Sequence, residues 1–207
     1  MSEEYEPVAQ LVKDYAKSGV VVVELGTYVV GGNSSARTLI PVVREAGGRL
    51  YSVDWLRGSE TIVNAPNAPE SYGPETAAEL WRNIQEDLDV FTFILGTTDN
   101  ASLIFADRSV DIVWMDADHR YSQFKHDIFV WWPKVKVGGW LTGHDMDCWP
   151  GEADLAEMAA YSEVDFHRGT HYGVARALSE VFNPGCLKGD PARRFWCVKK
   201  EPGALRF

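Results

Sequence analysis

Val20-Val21-Val22-Val23-Glu24-Leu25-Gly26-Thr27-Tyr28-Val29-Val30-Gly31-Gly32-Asn33-Ser34 is the stretch on which the fold turns. Four consecutive β-branched residues read as a strand buried on both faces, as a central parallel strand is. The glycines after it let the backbone approach a ligand closely. The helix expected over residues 34–46 would aim free N–H donors, Ser34 among them, at the same place. Taken alone, such a turn is weak evidence, since some turns of this kind are merely tight turns. Pro41 predicts a kink or a late start in that helix.

The alternation continues outward from there. Residues 50–53, 91–95, 110–115 and 140–142 read as further strands. Ala77, Trp81, Ile84 and Leu88 recur at helical spacing, and so do Tyr121, Phe124, Ile128, Trp132 and Val135. Strands and helices in turn predict an α/β fold, doubly wound, with helices on both faces of a mostly parallel sheet. The chain closes differently. A helix near residues 173–182, a short strand, a Gly189-Asp190-Pro191 turn and a strand over residues 194–199 predict an antiparallel hairpin, making seven strands. Residues 58–74, with Pro66, Pro69 and Pro74, and the acidic residues 146–170, with helix potential over 154–161, read as loops or lids.

The 207 residues and 23.1 kDa favour a single domain over residues 1–207. Apolar residues at 45% and charged ones at 24% exclude a disordered chain. Lys plus Arg number 20 against 30 Asp plus Glu, and the resulting net charge of -10 opposes capture of nucleic acid or an anionic membrane. No basic segment leads into an apolar run at the N-terminus, so no secretory signal is expected, and no run is long enough to span a bilayer. Cys148, Cys186 and Cys197 form no C-x-x-C pair and are odd in number, which fits free thiols in a cytoplasmic protein.

In an open parallel sheet, ligands bind beyond the carboxyl ends of the strands. The second strand ends at Asp54. A carboxylate there accepts bonds from both ribose hydroxyls, or else caps a loop. The fourth ends in Trp114-Met115-Asp116-Ala117-Asp118-His119, the fifth in Gly143-His144-Asp145. These polar clusters converge above one sheet edge. Their acids suit a divalent cation such as magnesium, and His119 can exchange a proton near neutral pH. The plainer alternative makes Asp118 a cap for the following helix and His144 a packed polar residue.

ELGTYVVGGNSS, YSVDW, VDIVWMDADHRYSQFKHD and KVGGWLTGHD together resemble class I S-adenosylmethionine-dependent methyltransferases. The resemblance runs over residues 20–145 and is closest to the small-molecule O-methyltransferase branch with D-x-D-H-x-Y and G-H-D segments. It implies a Rossmann-like fold and S-adenosylmethionine as methyl donor. Glu24 would face the methionine end of the donor, with Gly26, Thr27, Gly31 and Ser34 against it. Asp54 and Trp55 would meet the ribose side, Thr98 and Asp99 the adenine, and Asp116 would border the same pocket. In the catechol and caffeoyl-CoA enzymes the acid matching Asp116 holds magnesium with an Asp-Asn pair, here His144 and Asp145. The position of the lysine base of the catechol enzymes is His119.

The resemblance implies in-line methyl transfer to a small acceptor, with His119 removing a hydroxyl proton and His144 or a cation stabilising the oxyanion. Rival readings are an NAD-dependent oxidoreductase, a metal-dependent hydrolase built on Asp116, Asp118, His119, His144 and Asp145, and a nucleoside-binding module. Against the first, the glycines lack G-x-G-x-x-G spacing. Trp55, Tyr72, Trp149 and Tyr172 would form an aromatic acceptor pocket beside the lids. Exposed tryptophans near those segments would point to a homodimer.

Overall fold

A computed structural model of the chain describes residues 3–15, 18–27, 30–31, 34–58 and 74–206. The elements run α1 (Glu6–Tyr15), β1 (Val21–Leu25), α2 (Ser35–Glu45), β2 (Arg49–Asp54), α3 (Pro74–Ile84) and β3 (Phe91–Leu95). Then follow α4 (Thr98–Ser102), β4 (Val110–Met115), α5 (Tyr121–Trp131), β5 (Val135–Gly143), α6 (Leu155–Tyr161), α7 (Tyr172–Val181), β6 (Leu187–Asp190) and β7 (Phe195–Lys199). Seven strands form one sheet in the order β3-β2-β1-β4-β5-β7-β6. The first five are parallel; β7 pairs antiparallel with both β5 and β6. The α/β sheet and its antiparallel end are as expected, but Gly189 and Asp190 belong to β6, and the connection to β7 is a 3-10 turn at Pro191–Arg193 rather than a turn at Gly189-Asp190-Pro191.

Alternation along the strands supplies two cores. Val22, Ile112 and Trp114 face α1, α2 and α3, while Val23, Leu25, Val113 and Met115 face α5 and α7. Strand β4 is buried at every position, and its one charged residue, Asp111, is paired with Lys136 at 2.7 Å.

Four further local expectations are corrected. Helix α2 runs through Pro41 unbroken, because Pro41 lies on the exposed face, where water can serve the carbonyl it leaves without an N–H partner. Helix α5 ends at Trp131 and passes through a 3-10 turn (Trp132–Lys134) into β5, so Val135 opens a strand; Pro133 stops the helix where spacing alone would carry it on. Strand β5 starts five residues earlier than the 140–142 reading, the Gly138-Gly139 pair lying inside it. Helix α3 ends at Ile84, leaving Leu88 exposed. Helices α1 and α4 have no counterpart among the expected elements.

Of the two expected lids, residues 59–73 lie outside the described residues. Residues 146–170 are docked as a wall. The Tyr121 amide donates to the Ser162 carbonyl at 2.7 Å, Arg176 Nη1 donates to Ser162 Oγ at 2.9 Å, and Met158 is buried against the body of the fold.

Candidate active site

Strands β1 and β4 are neighbours, so the chain leaving each lands side by side. Gly26 has φ +84°, and a Cβ on it would collide with the Asp116 carbonyl. Only glycine allows that approach. Just below, Glu24 is fully buried and accepts hydrogen bonds from the hydroxyls of Thr27, Ser35 and Ser52, the last at 2.5 Å. Burial without a cationic partner pushes its carboxyl up to about 7, against the three hydroxyl bonds that favour the anion. Glu24 therefore organises the loop from beneath. Ser34 caps α2 by accepting from the Arg37 amide at 3.3 Å, and its own amide donates to the Gly31 carbonyl at 3.1 Å. Tyr28, Gly32 and Asn33 lie outside the described residues.

Asp54 ties two loops together. Its carboxylate accepts from the Thr27 amide at 3.0 Å and the Leu56 amide at 2.6 Å. Trp55 beside it is 41% exposed, its indole donating to the Gly58 carbonyl at 2.8 Å. Thr98 and Asp99 turn toward α5 instead: Thr98 Oγ1 donates to Asp127 at 2.7 Å and Asp99 pairs with His126 at 2.5 Å. Their side chains are thus engaged away from the strand-end cluster.

Beyond β4 and β5 the expected residues do converge. His119 Nδ1 bonds Asp165 at 3.1 Å, while Nε2 makes ion-pair contacts with Asp145 at 2.7 Å and Asp116 at 3.6 Å. His144 Nδ1 lies 3.1 Å from Asp145 Oδ1 and 4.0 Å from Asp116 Oδ1, and its Nε2 is 3.0 Å from Glu4. Burial depresses both imidazoles, but Asp116, Asp145 and Asp165 around His119, and Asp145, Asp116 and Glu4 around His144, outweigh it and raise both. Burial alone would raise Asp145; its imidazole neighbours hold it well below the usual carboxylate range. The surrounding carboxylates therefore favour the imidazolium form of His119.

Six further residues complete the cluster. Asp147 holds the ring and the amide of His171 at 2.8 and 2.7 Å, and the His171 ring stands edge-on to His119 with centroids 4.7 Å apart. Arg194, in the turn before β7, reaches Asp145 and donates to Asp147 at 2.8 Å. Glu4 and Tyr5 close the side by His144, the Tyr5 ring 5.5 Å from it. Asp165 is the sixth. His171 had a faint signal in its neighbour Gly173, at which any Cβ would strike the His119 carbonyl. Arg194, Asp165 and Glu4 had none.

Asp118 accepts from the amide and guanidinium of Arg120, which is itself the N-cap residue of α5 and has no side-chain cap, so Asp118 braces the turn before the helix rather than capping it. Trp149 packs against the core, Tyr172 is buried, Trp55 stands exposed beyond β2, and Tyr72 lies outside the described residues.

The ligand atoms of Asp116, His144 and Asp145 lie within 4.8 Å of one another, as do those of His119, Asp145 and His171. Such spacing suits one divalent cation. Two carboxylates with one imidazole suit manganese, iron or zinc at least as well as magnesium.

The chain matches a family described as methyltransferase domain over residues 23–146, more than half its length. No curated protein sequence is significantly similar to it. Among solved structures it resembles an O-methyltransferase from Bacillus cereus in complex with SAH, with TM-score 0.58 and 14% identity over 97% of this chain and 82% of that one. A Staphylococcus aureus protein described as a candidate caffeoyl-CoA O-methyltransferase gives TM-score 0.62 at 11% identity, over 96% and 82%. MycE, a methyltransferase of mycinamycin biosynthesis in complex with Mg and SAH, gives 0.53 at 18% identity over 98% of this chain, which spans about half of it (52%). At such identities the likeness speaks for the fold. Among the described residues no helix is long and apolar enough to cross a membrane. Fold, strand-end site and family match agree, and the chain belongs to the methyltransferase domain family.

Proposed function

We propose that the protein is an S-adenosylmethionine-dependent methyltransferase acting on a hydroxyl of a small molecule. The observation that carries this reading is the convergence of Asp116, His119, His144 and Asp145 beside the glycine loop of β1. The bound donor supplies a sulfonium methyl group; its C–S bond breaks as the acceptor's O–C bond forms, and a neutral thioether leaves. The protein's tasks are alignment and removal of the acceptor proton. Asp54 takes the ribose. Gly26, Thr27, Gly31 and Ser34 line the donor's methionine side over the buried Glu24, and Trp55 borders the ribose. The 98–99 backbone faces the adenine, since the side chains of Thr98 and Asp99 point to α5. Asp165 orients the His119 ring by accepting from Nδ1, so that Nε2 takes the acceptor proton, and His144 steadies the oxyanion. Asp116, His144 and Asp145 are the residues that would hold a divalent cation, whose chemistry there is polarisation of the acceptor oxygen.

The three free cysteines support a cytoplasmic location, and exposed Trp55 and Trp81 on either side of residues 59–73 support a homodimer, which sedimentation would check. Calorimetry with S-adenosylmethionine, its demethylated product and NAD tests the function. The first two bind and NAD does not; binding of NAD alone would overturn the reading in favour of an oxidoreductase.

A further inference from the structure

Arg194 follows the 3-10 turn Pro191–Arg193 with φ +55°, in the left-handed region that glycine or asparagine usually occupies. Asp145, which it grips, is also left-handed at φ +63°. Two residues with side chains thus accept strained backbone at the two ends of one ion pair. Strain retained at both ends calls for a functional reason. The backbone between them is pinned as well, since the Met146 amide donates to the Arg194 carbonyl at 3.1 Å.

The guanidinium spreads over the acidic side of the site. Nη2 meets Asp145 Oδ1, Nε donates to Asp147 Oδ1 at 2.8 Å, and Nη1 stands 3.7 Å from Glu4. Asp145 Oδ1 is also the oxygen that faces His144 Nδ1, the position a cation shared by Asp116, His144 and Asp145 would need. A fixed positive charge on that oxygen fills its coordination and repels a second cation.

We propose that Arg194 is a built-in counter-cation that competes with divalent metal for Asp145 and so sets the metal affinity of this site. The inference rests on reading Asp116, His144 and Asp145 as a cation-binding set. A metal enters only as Arg194 swings off Asp145, and its 35% side-chain exposure leaves room for that movement. With the guanidinium in place, the carboxylates are neutralised from within and the site stands ready without an ion.

Manganese binding to the full chain, followed by calorimetry and by the paramagnetic resonance of bound Mn2+, tests this. Arg194→Gly suits the left-handed turn and keeps the fold, and Arg194→Met keeps the aliphatic stem without the charge. Both should bind Mn2+ about tenfold or more tighter than the unaltered protein, from loss of the competing charge. Arg194→Lys should stay near the unaltered value, and adding Asp145→Asn to Arg194→Gly should abolish the gain. Equal, measurable Mn2+ binding with and without Arg194 overturns the inference and leaves the cation set standing. Absence of binding by every variant overturns the inference together with the cation set, while donor binding in the same samples reports separately on the methyltransferase reading.

Discussion

Glu24 and Asp145 are both buried acids at carboxyl ends of parallel strands, β1 and β5, and they are driven in opposite directions. Glu24 is surrounded by the hydroxyls of Thr27, Ser35 and Ser52, and burial pushes it up to about 7. Asp145 is as well buried, but His119, His144 and Arg194 surround it and hold it far below the usual range. Dipoles soften the cost of burying a carboxylate, whereas full cations reverse it. Hydroxyl dipoles therefore hold Glu24 beneath the β1 loop, whereas dense, compensated charge holds the cluster beyond β4 and β5.

The sharpest way to break this contrast is at His119, on the charged side. His119→Ala should lower turnover by about two to four orders of magnitude while donor binding persists. Unchanged turnover would take the residue out of the mechanism. In the unaltered enzyme, rate should climb with pH through a value above 6.5, because the carboxylates favour the imidazolium and only the neutral ring takes a proton. A profile already flat at pH 6 would contradict that.

Asp145→Asn leaves the Arg194 guanidinium and the rings of His119 and His144 facing an uncharged amide. Breaking a buried pair in this way costs about 3–5 kcal/mol, measurable as a fall in the urea midpoint at pH 7. A loss below about 1 kcal/mol would mean that these charges are better solvated than their burial implies.

Glu24 should show its effect in the pH dependence of stability. A carboxyl whose folded-state pKa lies above its unfolded value of 4.5 takes up a proton on folding. Its contribution is full below pH 4.5 and is lost as pH rises through about 7, roughly 3–4 kcal/mol in all at about 1.4 kcal/mol per unit. Glu24→Gln should flatten that slope. An unaltered slope would place the titration elsewhere.

The smallest effect concerns residues 146–170. Their docking through Ser162 and Met158 predicts that amide exchange there is already slow without ligand and slows only modestly on adding donor and acceptor. Fast exchange in the free protein would restore the mobile lid.

Much of this molecule is legible locally. The apolar runs at residues 21–23 of β1 and 112–115 of β4 need no distant partner to be recognised, because burial on both faces favours continuous apolar residues. The acids and histidines after β1, β2, β4 and β5 follow from the rule that a parallel sheet presents its strand ends to one edge. Boundaries were less legible wherever backbone chemistry overrode periodicity, as at Pro133, which ends α5, and at Gly138-Gly139, which β5 crosses.

The sequence by itself determined the α/β sheet, its antiparallel end, and the meeting of Asp116, His119, His144 and Asp145, since these depend on local pattern and on one rule of topology. Only the tertiary structure decided their charge. Asp165, His171, Arg194 and Glu4 come from a wall segment, the start of α7, a hairpin turn and the N-terminus, and no spacing in the chain links them. Ionisation depends on which charges lie within a few ångströms in a poorly solvated interior, and that is a property of the folded neighbourhood alone.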